Sequence, residues 1–234
     1  MLLTPEEGQA LLLSLRIAGW ATFWGMIAAT AFAWLLARHR FPGRVLLDAL
    51  LHAPLILPPV VIGFVLLMLF GAQGPIGQWL DASWGIRLAF TPAGAALAAG
   101  VSAFPLMLRA VRQAIEAVDP RLEEAARSLG AGPWDRAVTI VLPLALPGLI
   151  AGGVIGFAAA LGEFGAVITF AANIPGETQT LPLAIYSALQ VPGGEGAALR
   201  LSLLSFAAAL GGLLLSEKNS SGARHRFMSS PNMP

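Results

Sequence analysis

Residues able to do covalent or redox chemistry are few and scattered in this sequence. None of the 234 residues is cysteine, which removes thiolate nucleophiles, thiolate metal sites and disulfides. The three histidines, His39, His52 and His225, match no metal-ligand spacing and are expected to be loop or interface residues. No nucleophile–base–acid set stands out. There is no G-x-x-x-x-G-K-[ST] phosphate loop, and the single lysine, Lys218, lies far from any Gly-rich turn. The chain is therefore expected to bind no cofactor or metal and to hydrolyse no ATP itself. Glu163 is the outlier, an ionisable residue deep in an apolar run, where such groups face protein or water and often serve function. Three roles stay open for it: substrate contact, gating, or a structural one in which it binds backbone N–H groups freed around Gly162 and Gly165, or a partner residue. Contact with an anion is disfavoured, because like charges repel strongly in a low dielectric.

The elements that must position these residues are set by composition. Hydrophobic residues make up 56% of the chain, charged residues 12%, and mean hydropathy is +0.74. Soluble domains carry about 25% charged residues, so lipid must solvate much of this surface. A soluble enzyme, a nucleic-acid binder and a disordered chain are excluded. A bilayer core of about 30 Å needs about 20 apolar residues in helix. Runs 17–37, 49–70, 89–108 and 144–170 meet this, and 196–215 does so if Arg200 snorkels. Segment 181–191 is half a span and reads as an interfacial or partly buried piece. Lipid offers no hydrogen bonds to backbone, so the runs must be helices. The expectation is an all-α membrane protein of about five crossings, one domain over 1–217, and a polar tail 218–234.

Direction follows from the basic residues. On the side of loop 38–44, the long segment 109–143 and the tail lie 11 of the 14 lysines and arginines. The positive-inside bias places that side in the cytoplasm and the amino terminus outside. No cleavable signal peptide is expected, since Met1–Gly8 is acidic where a signal is basic. Trp79 and Trp84, in the Gly- and Pro-rich outer loop, read as interfacial anchors. Pro54, Pro58 and Pro59 at the start of the second run give either a simple kink or a bend lining a pathway. Gly148, Gly152 and Gly156 form a small-residue ladder that serves packing within the chain or a dimer seam.

Between the third and fourth runs lies a short helix with legible ends. Asp119 suits its cap, Pro120 its first position and Gly130 the residue after its end. Leu122, Ala125, Ala126 and Leu129 recur at i, i+3, i+4 and i+7, giving one narrow apolar stripe. Arg121, Glu123, Glu124 and Arg127 occupy the rest. Such a ridge fits a groove on another protein or the membrane surface. The small alanines and the mixed-charge opposite face favour the protein partner.

Here the sequence becomes recognisable. Glu124-Ala125-Ala126, three residues, Gly130, nine residues, then Ile140-Val141-Leu142-Pro143 resembles the EAA loop of bacterial ABC importer permeases at every specified position. Downstream, Leu161-Gly162-Glu163-Phe164-Gly165 and the run from Asn173 to Pro182 resemble the permeases for molybdate and, more loosely, sulfate. The likeness extends to about Glu217 and leaves the tail unmatched. It implies a type I ABC importer permease fold in a bacterial inner membrane. It also implies a coupling helix (Arg121, Leu122, Glu124, Ala125, Ala126, Leu129, Gly130) that docks into a separate ATPase subunit, which uses ATP and Mg. A homodimer of permease chains, two ATPase subunits and an external molybdate-binding protein would complete the assembly. Pathway or gate candidates are Pro58, Pro59, Gly162, Glu163, Gly165, Thr169, Asn173 and Thr180. No arginine stands at the centre of a run, so a passing anion is expected to meet neutral dipoles and weak contacts. A sulfate or thiosulfate permease is the alternative within this class. An ATP-independent secondary transporter or membrane scaffold is the alternative outside it.

Overall fold

The computed structural model describes residues 4–208 and 210–211, in which every regular element is helical. The tail 218–234 and the end of the fifth apolar run lie outside the described residues. Helix α1, Pro5–Arg38, starts well before the apolar run 17–37 because its end is fixed locally. The Thr4 side chain accepts from the Glu7 N–H, Glu7 accepts from the Thr4 N–H, and Pro5 takes the first position. At 34 residues it is about 50 Å long, more than a bilayer core requires. Its first turns are held by the helix over 195–208, where Arg200 donates to Glu7 at 2.9 Å.

The second apolar run does not form the single helix expected over 49–70. It divides into α2, Arg44–His52, a 3-10 turn over Ala53–Leu55, and α3, Pro59–Phe70, with a bend of 114°. Pro54, Pro58 and Pro59 each lack an N–H and cannot continue an i→i−4 ladder. Helix α2 is amphipathic, with Leu47 and Leu51 against the core and Val45, Leu46 and Leu50 exposed. Asp48 ties it to the later helix α5, Pro92–Glu116, by accepting from Arg112 at 3.0 Å. Helix α3, at 12 residues, spans only about 18 Å. It is followed by α4, Pro75–Trp84, which exposes Trp79 and Trp84.

Helix α5, Pro92–Glu116, runs past the expected end at 108 because Val111 and Ile115 are still fully buried, while Arg112 and Glu116 pair at i,i+4 outside. The expected loop 109–143 is likewise shortened from its other end. After α6, Pro120–Ser128, the chain is helical again from Pro133 through α7, Pro133–Arg136, a π segment, Ala137–Val141, and α8, Leu142–Leu161. Pro143, lacking an N–H, coincides with the widened turn. The free-standing segment is 117–132. Helix α8 stops at Leu161, so the expected run 144–170 is broken at Gly162–Phe164 and resumes as α9, Gly165–Ala171. Then come α10, Leu181–Leu189, and α11 over 195–208.

The core is built from small residues that let backbones approach. Ala18, Ala29 and Ala33 of α1 and Ala95, Ala98 and Ala99 of α5 have no exposed surface. The ladder Gly148, Gly152, Gly156 faces α5: a Cβ at 148 would collide with Ala114, one at 152 would sit 3.2 Å from Ala110, and one at 156 would collide with Met107. That face is therefore taken by packing within the chain, which removes the dimer-seam reading. Large apolar side chains such as Trp20, Phe23, Trp24, Phe64 and Met68 point outward, where lipid or a partner covers them.

One buried polar residue carries a long-range contact. Ser14 of α1 donates to Ala10 O at 2.8 Å and accepts from the Leu181 N–H at 2.6 Å, capping α10 from 167 residues away. Ser14→Ala leaves that N–H buried and unpaired, a cost of about 1–3 kcal/mol. A fall in Tm of the detergent-purified chain on the order of 3–10 °C is expected; an unchanged Tm contradicts the capping role.

Candidate functional site

The segment expected to form the coupling helix, α6, is defined by its caps. The Asp119 carboxylate accepts from the Arg121 N–H at 2.9 Å and opens α6. At the other end, the Ala131 N–H reaches Ala126 O and the Gly130 N–H reaches Arg127 O, both at 3.0 Å, with Gly130 at φ +89°. This is a Schellman closure, which needs a left-handed residue at the position Gly130 holds. Both ends thus stop where the sequence places them.

The apolar stripe of α6 has no cover within the chain. No residue of the helix is buried; Leu122 is 47% exposed and Leu129 90%. Ala125 is exposed and Ala126 half-buried. Arg121, Glu124 and Arg127 face solvent, whereas Glu123 turns inward and lies 2.7 Å from Arg38 at the end of α1. Trp134, on α7 just beyond the Schellman turn, is 81% exposed and extends the same open surface. Sequence reasoning missed Trp134; the available signal was a tryptophan in a charged segment between two helix starts. An open ridge of this size, flanked by fixed charges, is what a docking helix presents to a groove.

The second group of candidates divides in two. Pro59, Glu163, Gly165 and Thr169 come together where α9 lies along α3. A Cβ at Gly165 would sit 2.8 Å from Pro59, and one at Gly63 would sit 2.6 Å from Ala166 O and 2.7 Å from the Thr169 Cβ. Pro58 and Pro59 are exposed at the start of α3. Half-buried Glu163 accepts from the Ala166 N–H at 2.9 Å, so its carboxylate closes the first turn of α9 beyond the Gly162 break. The positive end of a peptide dipole stabilises a carboxylate there, which accounts for an acid at this depth without a cationic partner. Of the three roles left open for Glu163, the geometry matches the acceptor for freed backbone N–H groups. Thr169 donates back to Gly165 O at 2.8 Å.

Asn173 and Thr180 belong to a different cluster, the loop between α9 and α10. The Asn173 amide donates to Ser187 at 2.7 Å and accepts from Gln179 at 3.0 Å. Thr180 is buried and its hydroxyl has no partner. The chain turns into this loop at Ala172, whose φ of +62° and ψ of −162° lie in a region that costs a non-glycine residue about 1–3 kcal/mol. The rings of Phe164 and Tyr186, 5.3 Å apart, join the two clusters. A separate, mostly apolar cavity of about 960 Å³ lies between α1 and α5, lined by residues including Arg16, Trp20, Trp24 and Phe104. Pro54 lines it, whereas none of the coupling residues or the gate candidates from Pro58 to Thr180 does.

Comparison with known proteins adds four findings. The family of binding-protein-dependent transport system inner membrane components matches residues 21–216. The molybdenum transport system permease protein ModB of Escherichia coli K12 is 54% identical, over 93% of this chain and 95% of its own length. The sulfate transport system permease protein CysT of the same organism is 40% identical, over 80% of this chain and 67% of its own. Among solved structures, a bacterial alginate ABC transporter, in complex with an alginate pentasaccharide-bound periplasmic protein, superposes with a TM-score of 0.74. It is 16% identical, covering 91% of this chain and 77% of that one, and so shows a shared fold.

Proposed function

Since this chain belongs to the inner membrane components of binding-protein-dependent transport systems, we propose that it is the permease through which molybdate crosses the bacterial inner membrane, driven by a separate ATPase. The observation that carries the reading is the capped, uncovered ridge of α6, with Glu124, Ala125, Ala126 and Gly130 at the positions a coupling helix requires. The chain has no phosphate loop, so energy arrives through that ridge. Each chain offers one such helix; two ATPase subunits then call for a homodimer of permeases. In this assembly, closure of the ATPases around ATP draws the two α6 helices together and opens the pathway outward. There a loaded external binding protein releases its anion, and hydrolysis restores the inward-facing state.

The broken crossings supply the movable parts. Helices α3 and α9 begin beside one another at the Pro59–Gly165 contact, so a tilt of α8 shifts α9 against α3 without breaking a continuous helix. The pathway candidates are neutral dipoles and not fixed cations, and such groups hold an anion weakly enough to release it. A sulfate permease is the second reading, favoured by the 40% identical sulfate relative; the 54% identical molybdenum relative outweighs it.

The test is ATPase activity of the reconstituted permease–ATPase complex, with binding protein loaded in turn with molybdate, tungstate or sulfate. Stimulation by molybdate and tungstate is expected. Stimulation by sulfate alone transfers the assignment to sulfate, and anion uptake by the chain without any ATPase overturns the ABC reading.

A further inference from the structure

Three helices converge on one guanidinium at the α6 end of the bundle. Arg38 is the last residue of α1. Its Nη2 donates to the Ile115 carbonyl, in the last turn of α5, at 3.1 Å and lies 2.7 Å from Glu123 Oε1 on α6. The Arg38 and Glu123 side chains are only 20% and 18% exposed, while most of α6 faces solvent. Among the described residues, this is the one ion pair or side-chain hydrogen bond that joins α6 to α1 or α5. Otherwise α6 is attached through its two connections and by close packing against α7 and the π segment, Ala137–Val141. Val118 seats the entry in the core, and the exit passes through Gly130 and Gly132.

A nine-residue helix held at its ends and along the side that meets α7 and the π segment can still roll about its own axis when pushed. A contact from the middle of its inner face removes that freedom. Successive residues point about 100° apart on a helix, so Glu123 can face Arg38 while Glu124 faces a partner. The pair is charged and mostly removed from water, so salt screens it less than a surface ion pair, while Arg38 Nε and Glu123 Oε1 make no hydrogen bond and the contact is electrostatic. Because Arg38 also grips the end of α5, a displacement of α6 is delivered to two core helices at one point.

We propose that Arg38 and Glu123 form the positioning strut that carries movement of α6 into α1 and α5, and so couple the ATPase to the pathway. The proposal rests on the transport reading above. Glu123 is assigned to transmission and Glu124 to docking, two roles for adjacent acids of one helix.

The test compares Glu123→Gln, Glu123→Ala and Arg38→Lys with the parent in two measurements. The first is hydrogen exchange of the α6 amides in the full permease chain without partners. Exchange about tenfold faster is expected in Glu123→Ala, and near-parental exchange in Arg38→Lys, which keeps the charge. The second is molybdate moved per ATP hydrolysed by the complete complex with loaded binding protein. A loss of at least about fivefold is expected in Glu123→Gln and Glu123→Ala, the low end of coupling between sites, with the ATPase still co-purifying and with recovery in Arg38→Lys. Parental exchange in Glu123→Ala overturns the strut, as does coupling within about twofold of the parent, or loss of the ATPase from Glu123→Gln. A parent complex that shows no molybdate-dependent ATPase overturns the transport reading, and the exchange measurement then decides the strut by itself.

Discussion

Gly130→Pro is expected to reduce molybdate uptake to background while the chain remains in the membrane at parental abundance. Position 130 sits at φ +89°, and its N–H closes α6 on Arg127 O. Proline fixes φ near −65° and has no N–H, so it defeats both requirements at a local cost of about 3 kcal/mol or more. It also drives the preceding Leu129, now at φ −86° and ψ 4°, out of the helical region. The Schellman turn then opens, and the ridge that Leu122, Ala125 and Leu129 present loses its shape. Nothing packs around Gly130, where an added Cβ meets no atom within 4 Å, so the damage stays at the end of α6. Gly130→Asn, which tolerates the left-handed region, is expected to retain most uptake. Membrane abundance, ATPase co-purification and uptake measured together check this; parental uptake in the proline variant contradicts the docking role of α6.

Gly63→Leu is expected to fail for the opposite reason, because it has no room. The new side chain would start 2.6 Å from the Ala166 carbonyl oxygen and 2.7 Å from the Thr169 Cβ, and a carbonyl of α9 cannot swing aside as a side-chain tip can. Overpacking costs about 1–3 kcal/mol where side chains alone adjust; separating two helices costs at least that. A fall in Tm of the purified chain on the order of 5–10 °C is expected, with uptake at background, since α9 no longer lies along α3. Gly63→Ala meets the same contacts with one carbon and is expected to show a smaller deficit in both. A leucine variant that transports at the parental rate removes the α3–α9 contact from the pathway.

The sequence by itself determined what depends on neighbours along the chain. Charge poverty required lipid, whatever the packing. The α6 segment was legible to the residue because Asp119, Pro120 and Gly130 act within one helical turn of themselves, and because its stripe repeats at the helical period. The resemblance to the EAA loop rested on the same short stretch. Glu163 stood out as an acid in an apolar run, and Pro54, Pro58 and Pro59 as interruptions.

Only the tertiary structure decided the rest. Hydropathy sums over windows and so fuses α2 with α3 and α8 with α9; the direction each half takes is set by the helix it meets, as Pro59 meets Gly165. The glycine ladder of α8 could not choose between α5 and a second chain until Ala110 and Ala114 were placed against it. Ser14 reads as an unremarkable helix residue until Leu181, 167 positions on, brings it an N–H. Arg38 and Glu123 are two charges among many until folding makes them neighbours across 85 residues. Caps, composition and period are short-range physics and are written locally. Which face meets which is a matter of packing between distant segments, and a sequence records that only through the fold it produces.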